Sequence, residues 1–230
     1  MVFHRLHRWT LTPKAAVALQ RRLAPRVVRR GDCRGARLFV GSDAAFTVGE
    51  CIAAVVVWDA ERDVVVEQVV ARRPLRFPYV PGLLTFREAP AILAAFRRLT
   101  RNPDVFLFDG QGYAHPRRFG LASHLGLWLD RPSIGCAKSV LIGRYEEMGT
   151  KRGSASPLMD KDEQIGIALR TREGVRPIFV SVGHRLSLDA ARRLVVDTCV
   201  RSRVPEPIRL ADCLVAMEKR RGNLPRTGAQ

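Results

Sequence analysis

Asp109 ends an unbroken apolar run, Val105-Phe-Leu-Phe108, and is followed by Gly110 and Gly112. Four apolar residues in a row suit a strand buried on both faces. A carboxylate therefore stands at the tip of a buried strand, where ligands gather in open α/β sheets. Asp43 interrupts a second apolar run, Leu38 to Phe46, and an unpaired carboxylate buried there would be costly. In adjoining strands the two acids would repel one another unless a cation lay between them. Hard oxygen ligands with no cysteine nearby favour Mg²⁺ or Mn²⁺ over zinc. Each acid also has a plainer reading: Asp109 as the start of an Asp-Gly turn, Asp43 as an edge-strand residue facing solvent.

Glu88 is the third acid. Thr85-Phe-Arg-Glu88 matches a capping box, yet Pro90 fits best at a first helical position, which places Glu88 just before the helix with its carboxylate free. Pro78-Tyr79-Val80-Pro81-Gly82 holds an aromatic ring on a stiff, extended segment. Such a ring could wedge into a duplex, or simply pack on its own sheet. Lys138, at the end of a short apolar run, and His115, beside Arg117 and Arg118, are candidates for contact with a phosphate. Solvated or core roles are the ordinary alternative for both, and Asp212 reads equally well as a helix-surface acid.

These side chains need a scaffold. Thr12 and Pro13 open a helix whose apolar stripe is Ala16, Leu19 and Leu23, ending near Pro25. Leu38–Phe46, Cys51–Ala60 and Val64–Ala71 are rich in β-branched and apolar residues and separated by short turns, an antiparallel meander. From Pro90, residues Ile92, Leu93, Phe96 and Leu99 recur at helical spacing. The Val105 strand, a helix over Phe119–Leu129 and a strand over Ser133–Ala137 follow. Ile165–Arg170 and Pro177–Val182 are expected to be two more strands joined by a Glu173-Gly174 turn. Ser187 caps a helix reaching Cys199, and Arg209–Arg220 is a last helix. A three-stranded meander followed by alternating helices and strands predicts an α/β protein of ribonuclease H-like fold, with a mixed central sheet; another doubly wound sheet is the alternative.

The chain has 230 residues with 39 Lys and Arg against 22 Asp and Glu, a formal charge of +17. A surface so basic attracts polyanions, and nucleic acid is the expected partner. The five cysteines form no Cys-x-x-Cys pair, which argues against a zinc knuckle or a disulfide framework and fits a reducing, cytoplasmic setting. The longest apolar run, Ile52–Trp58, falls far short of the roughly 20 residues that span a bilayer. We expect a monomer with one catalytic domain over residues 1–221, and a disordered tail over 222–230.

Taken together, several stretches resemble the endonuclease V family. They are Pro78-Tyr-Val-Pro-Gly-Leu-Leu-Thr-Phe-Arg-Glu88, Asp109-Gly-Gln-Gly-Tyr-Ala-His-Pro-Arg-Arg118, Ala122-Ser-His-Leu-Gly126, Ile134-Gly-Cys-Ala-Lys138, Pro157-Leu-Met-Asp-Lys161, Gly183-His-Arg-Leu-Ser187 and Pro205-Glu-Pro-Ile-Arg-Leu-Ala-Asp212. They occur in the family's order from about Trp9 to Asp212. The resemblance implies a ribonuclease H-like fold and Mg²⁺-dependent hydrolysis of a phosphodiester on the 3′ side of deoxyinosine, one nucleotide beyond the lesion. It implies that Asp43, Glu88 and Asp109 bind metal, with Asp212 a fourth acidic position. Tyr79, flanked by Pro78 and Pro81, would be the strand-separating wedge. Main-chain groups around Gly82, Leu84 and Gly110 would line the pocket for a flipped hypoxanthine, with Lys138 and His115 near the cleaved phosphate.

Two positions depart from the family's pattern. Ser42 stands where an apolar residue usually precedes the first aspartate, and Asp162 replaces the glycine usual after Met-Asp-Lys. The latter is expected to change a turn, since aspartate tolerates left-handed geometry. Two rival functions share the fold: a nucleic-acid-binding protein without catalysis, and a nuclease directed at RNA inosine or at junctions.

Overall fold

The computed structural model describes residues 1–223; the expected tail lies outside them from residue 224 onward. Helix α1 (Pro13–Leu23) opens as expected, with the Thr12 hydroxyl accepting from the Ala15 N–H at 3.3 Å. It ends in one 3-10 turn, Ala24–Arg26, where Pro25 interrupts the α-helical bonding.

The meander consists of β1 (Leu38–Thr47), β2 (Glu50–Asp59) and β3 (Val64–Pro74), all antiparallel. Then come α2 (Thr85–Phe96), β4 (Val105–Phe108), α3 (Leu121–Leu129) and β5 (Ser133–Ala137). Strand β4 pairs in parallel with both β1 and β5. The remaining strands are β6 (Ala155–Asp160), β7 (Glu163–Leu169) and β8 (Ile178–His184), followed by α4 (Leu188–Thr198) and α5 (Glu206–Asn223). One eight-stranded mixed sheet results, in the order β3-β2-β1-β4-β5-β8-β7-β6.

Two cores flank the sheet. Ala89, Ile92, Leu93 and Phe96 of α2 and Leu125 and Trp128 of α3 pack with Val40, Phe106 and Phe108 on one face. Ala191, Leu194 and Val195 of α4 and Ile208 of α5 pack with Phe39, Leu107 and Ile134 on the other. Alternation along β1 thus sends Phe39 and Val40 to opposite faces.

Three expectations change. Helix α2 starts at Thr85, five residues before Pro90, which lies inside it. Its first turn closes through Phe86, Arg87 and Glu88 N–H groups bonded back to the Leu83 and Leu84 carbonyls, and the burial of Phe86 and Ala89 outweighs the single bond that proline removes. Strand β6 runs against the sequence pattern, because Pro157 sits in its middle; as the sheet's last strand it needs no ladder on its outer side. Helix α5 begins at Glu206, three residues early, and extends through Asn223, so its last residues occupy the start of the expected tail.

The β6–β7 turn also differs. The left-handed residue there is Lys161, at φ 56°, and not Asp162, so the missing glycine leaves no strained backbone at position 162.

Candidate active site

The register of the sheet sets two acids side by side. Ser42 pairs with Phe108 across the parallel β1–β4 ladder, so the next residues along, Asp43 and Asp109, lie level at the carboxyl end of β4. Glu88 comes to them from the first turn of α2, where the positive end of the helix dipole favours negative charge. Its residue is only 8% exposed. The capping box does not form: Leu84 is the N-cap and no side-chain cap bond is made.

Electrostatics separates these acids from ordinary surface carboxylates. Burial, then the charge of Asp109, raises the Asp43 carboxyl to about 7, against a bond from the Ala44 N–H and the charge of Lys138. Burial, followed by Asp43 and Asp109, pushes Glu88 well above the usual range, with only the charge of Arg87 opposing it. These groups hold more negative charge than their protein surroundings neutralise.

Lys138 follows the last residue of β5, and its Nζ lies 2.6 Å from Asp109 Oδ2 and 3.9 Å from Asp212 Oδ2. Partial burial works against its charge, but Asp109, Asp212 and Asp43 outweigh it and raise its pKa. Asp212 arrives from α5, which lies directly on β1. Gly41 permits that approach, since a Cβ there would come within 2.3 Å of the Pro207 carbonyl oxygen. Among the described residues no three His, Cys, Asp or Glu side chains converge as a ready-made ligand cage; an ammonium lies against Asp109 instead. The donor set nevertheless fits a hard divalent ion, being all carboxylate oxygen and short of positive charge.

A cavity of about 350 Å³ opens beside Asp109 and Lys138, within the size range of small-ligand pockets. Pro81, Gly82, Leu84, Gly110, His115, Val140 and Leu141 line it. Tyr79 also borders it and is 73% exposed. The ring is therefore not packed on its sheet; the Arg87 guanidinium lies 5.7 Å from its centroid. Pro78 is exposed beside it and is not part of the cavity wall.

The Gly82 carbonyl is held by three donors: Gln20 Nε2 at 3.1 Å, His115 Nε2 at 2.9 Å and Arg117 Nη2 at 2.7 Å. The Arg117 N–H donates to His115 Nδ1 at 3.1 Å, so Nε2 must carry the proton that reaches Gly82. Burial depresses His115 to about 4 despite the bond to Gly82, leaving a neutral ring with both nitrogens engaged. Direct contact of His115 with a phosphate would break one of these bonds.

Gln20, Gly41, Val140 and Leu141 are not singled out by the sequence pattern. Gln20 carried a usable signal, a polar residue within the buried stripe of α1, where a fully buried amide must find partners. The exposed residues Val140 and Leu141 carried none, because single apolar residues in a loop are common.

Comparison with known proteins gives one consistent result. Residues 21–213 match the family profile described as Endonuclease V. The chain is 46% identical over 211 residues to the Endonuclease V of Gloeobacter violaceus, covering 90% of this chain and 86% of that protein. It is 48% identical over 210 residues to that of Azotobacter vinelandii, covering 90% and 95%. The crystal structure of Endonuclease V from Streptomyces avermitilis superposes with a TM-score of 0.89 at 43% identity, covering 94% of this chain and 96% of that one. The Ciona intestinalis Endonuclease V, solved with a 24mer DNA containing an inosine followed by a ribo-adenosine, gives 0.79 at 26% identity, with 90% and 97% covered. The fold is ribonuclease H-like, as the order of elements predicts.

Proposed function

This chain belongs to the endonuclease V family, and from that membership we propose that it is a DNA repair endonuclease directed at deoxyinosine. It would hydrolyse the phosphodiester on the 3′ side of the lesion, one nucleotide beyond it, leaving a 3′-hydroxyl and a 5′-phosphate. The observation that carries this reading is a ligand-sized cavity whose wall includes Asp109, beside the half-buried Asp43 and the buried Glu88, both pushed upward in pKa.

In this reading Asp43, Glu88 and Asp109 hold Mg²⁺, with Mn²⁺ as a substitute, and Asp212 is the fourth acid. When bound, the ion supplies the missing positive charge, activates water and stabilises the departing 3′-oxygen. Lys138, the cation nearest Asp109, orients the phosphate. Tyr79, stiffened by Pro78 and Pro81, fills the gap left by the extruded base. Inosine pairs weakly, so it costs less to flip than a matched base. The main-chain groups of Gly82, Leu84 and Gly110 then read its edge. His115 is a positioning residue: neutral and doubly bonded, it fixes the Gly82 carbonyl.

The test uses matched oligonucleotides with and without one inosine, as DNA and as RNA, in Mg²⁺ or EDTA. Cleavage of inosine DNA in Mg²⁺ alone is expected. Equal cleavage without inosine would overturn the lesion specificity, preference for the RNA would reassign the substrate, and binding without cleavage would make the chain a non-catalytic binder.

A further inference from the structure

A second groove, of about 510 Å³, lies outside the base pocket between the end of α1 and the segment after β4. Arg21, Pro25, Tyr113, Pro116, Arg117 and Arg118 line it. Their charges are not equally free. Arg118 is neutralised by Asp160 at 2.7 Å and Glu163 at 2.8 Å. Among the described residues Arg21 and Arg117 make no ion pair with a carboxylate. The Arg117 guanidinium bonds only neutral acceptors, Gln20 Oε1 at 2.6 Å through Nε and the Gly82 carbonyl at 2.7 Å through Nη2. Arg21 and Arg117 line the same groove, and burial, then the charge of Arg21, lowers the Arg117 pKa.

Two features point to the occupant. A guanidinium pair that neighbouring carboxylates leave unneutralised suits phosphate, which accepts forked bonds from arginine. The groove is also joined to the base pocket through one residue, since Arg117 bonds the carbonyl of Gly82, a residue that lines that pocket. An anion held here thus lies next to the segment that would receive a flipped nucleotide. We propose that the groove formed by Arg21 and Arg117 binds backbone phosphate of the same nucleic-acid strand that enters the base pocket. The identity of that strand rests on the function proposed above; the phosphate site does not. Arg117 links the two sites, fixing the recognition loop on one side and the phosphate on the other.

The experiment measures Kd against salt for duplex DNA with and without a single inosine, all in EDTA, so that cleavage plays no part. Variants are Arg21→Ala, Arg117→Lys, and the control Arg62→Ala in the β2–β3 turn at the opposite end of β1. Losing one phosphate contact lowers the log-log salt slope by about 0.9 on duplex DNA. Arg21→Ala is expected to show that loss, with Kd weakened by the same factor for both DNAs, while Arg62→Ala keeps the wild-type slope. Arg117→Lys keeps the charge but loses the fork, so its slope stays near wild type while its Kd weakens. An unchanged slope and Kd in Arg21→Ala overturns the proposal, as does weakening confined to inosine DNA, which would place Arg21 in base recognition. If the wild type does not prefer inosine but the Arg21 slope still falls, the deoxyinosine reading fails and the phosphate site stands.

Discussion

The two ends of one sheet treat buried carboxylates in opposite ways. At the β2–β3 turn, Asp59 is buried yet receives the Arg37 guanidinium, with Nη2 to Oδ2 at 2.7 Å and Nε at 3.0 Å from both oxygens. The hydrogen bond from Arg37 holds Asp59 below the usual carboxylate range. Nearby, Glu206 is gripped by Arg209 at 2.6 Å and Arg201 at 3.1 Å, and Arg201 also pairs with Asp63. At the other end, Asp43 and Glu88 face Asp109 with a single lysine among them, and burial drives the first two upward. The chain has arginine in excess, so lack of cations does not explain the difference. Where an acid serves the fold, a forked guanidinium satisfies it; where the acids are left repelling one another, the cluster stores a demand for an outside cation.

The sharpest break in this contrast is Asp109→Ala. It should reduce single-turnover cleavage of inosine DNA by about a thousandfold, a transition-state loss of about 4 kcal/mol, while Kd measured in EDTA stays within a few-fold. Cleavage near the wild-type rate would remove Asp109 from the chemistry. At the other end, Arg209→Ala should lower the unfolding free energy by about 1 kcal/mol without changing the single-turnover rate, because it takes away one of the two guanidiniums that hold the buried Glu206 and leaves only Arg201. A change in rate with no change in stability would reverse the assignment of the two ends.

Asp43→Asn should have the opposite sign. Asp43 has a folded pKa of about 7 against an ordinary 3.8, so its contribution to stability is fully present below about 3.8 and is lost as pH rises to 7. The neutral amide avoids that loss. In EDTA at pH 8 the variant should be more stable by roughly 2 kcal/mol, with cleavage abolished. A less stable variant would mean that Asp43 is compensated after all.

His115 gives the smallest effect, visible as a slope. Its folded pKa is depressed from 6.5 to about 4, so its contribution is present above about 6.5 and is lost as pH falls towards 4. His115→Gln should flatten the acid limb of the stability curve by on the order of 1 kcal/mol in that window, and raise KM more than it lowers kcat through the loosened Gly82 loop. An unaltered acid limb would show that the imidazole is not held neutral.

Much of this molecule could be read from its residues. The helix start at Thr12-Pro13, the alternation of the meander and the apolar strand before Asp109 are local patterns, each fixed by periodicity or a cap. Glu88, Asp109 and Lys138 could be picked out because each stands at the edge of such a pattern. Strand β6 and the true start of α2 are hidden because proline normally argues against both; the edge position of β6 and the packing around α2 are what admit it. The clamp on Gly82 joins Gln20, Gly82 and Arg117, residues too far apart in sequence for any spacing rule.

Which elements form, and which acids stand out of pattern, follows from local residues, because helix and strand periods and caps act over a few positions. That Asp43 lies level with Asp109, and that α5 reaches Lys138 through Asp212, follows only from the folded chain. The folded chain alone decides that one set of buried acids meets arginines and the other does not. Register, close helix approach at Gly41 and the partner of each buried charge depend on contacts between distant segments, and burial gives a charge its energy only once those contacts exist.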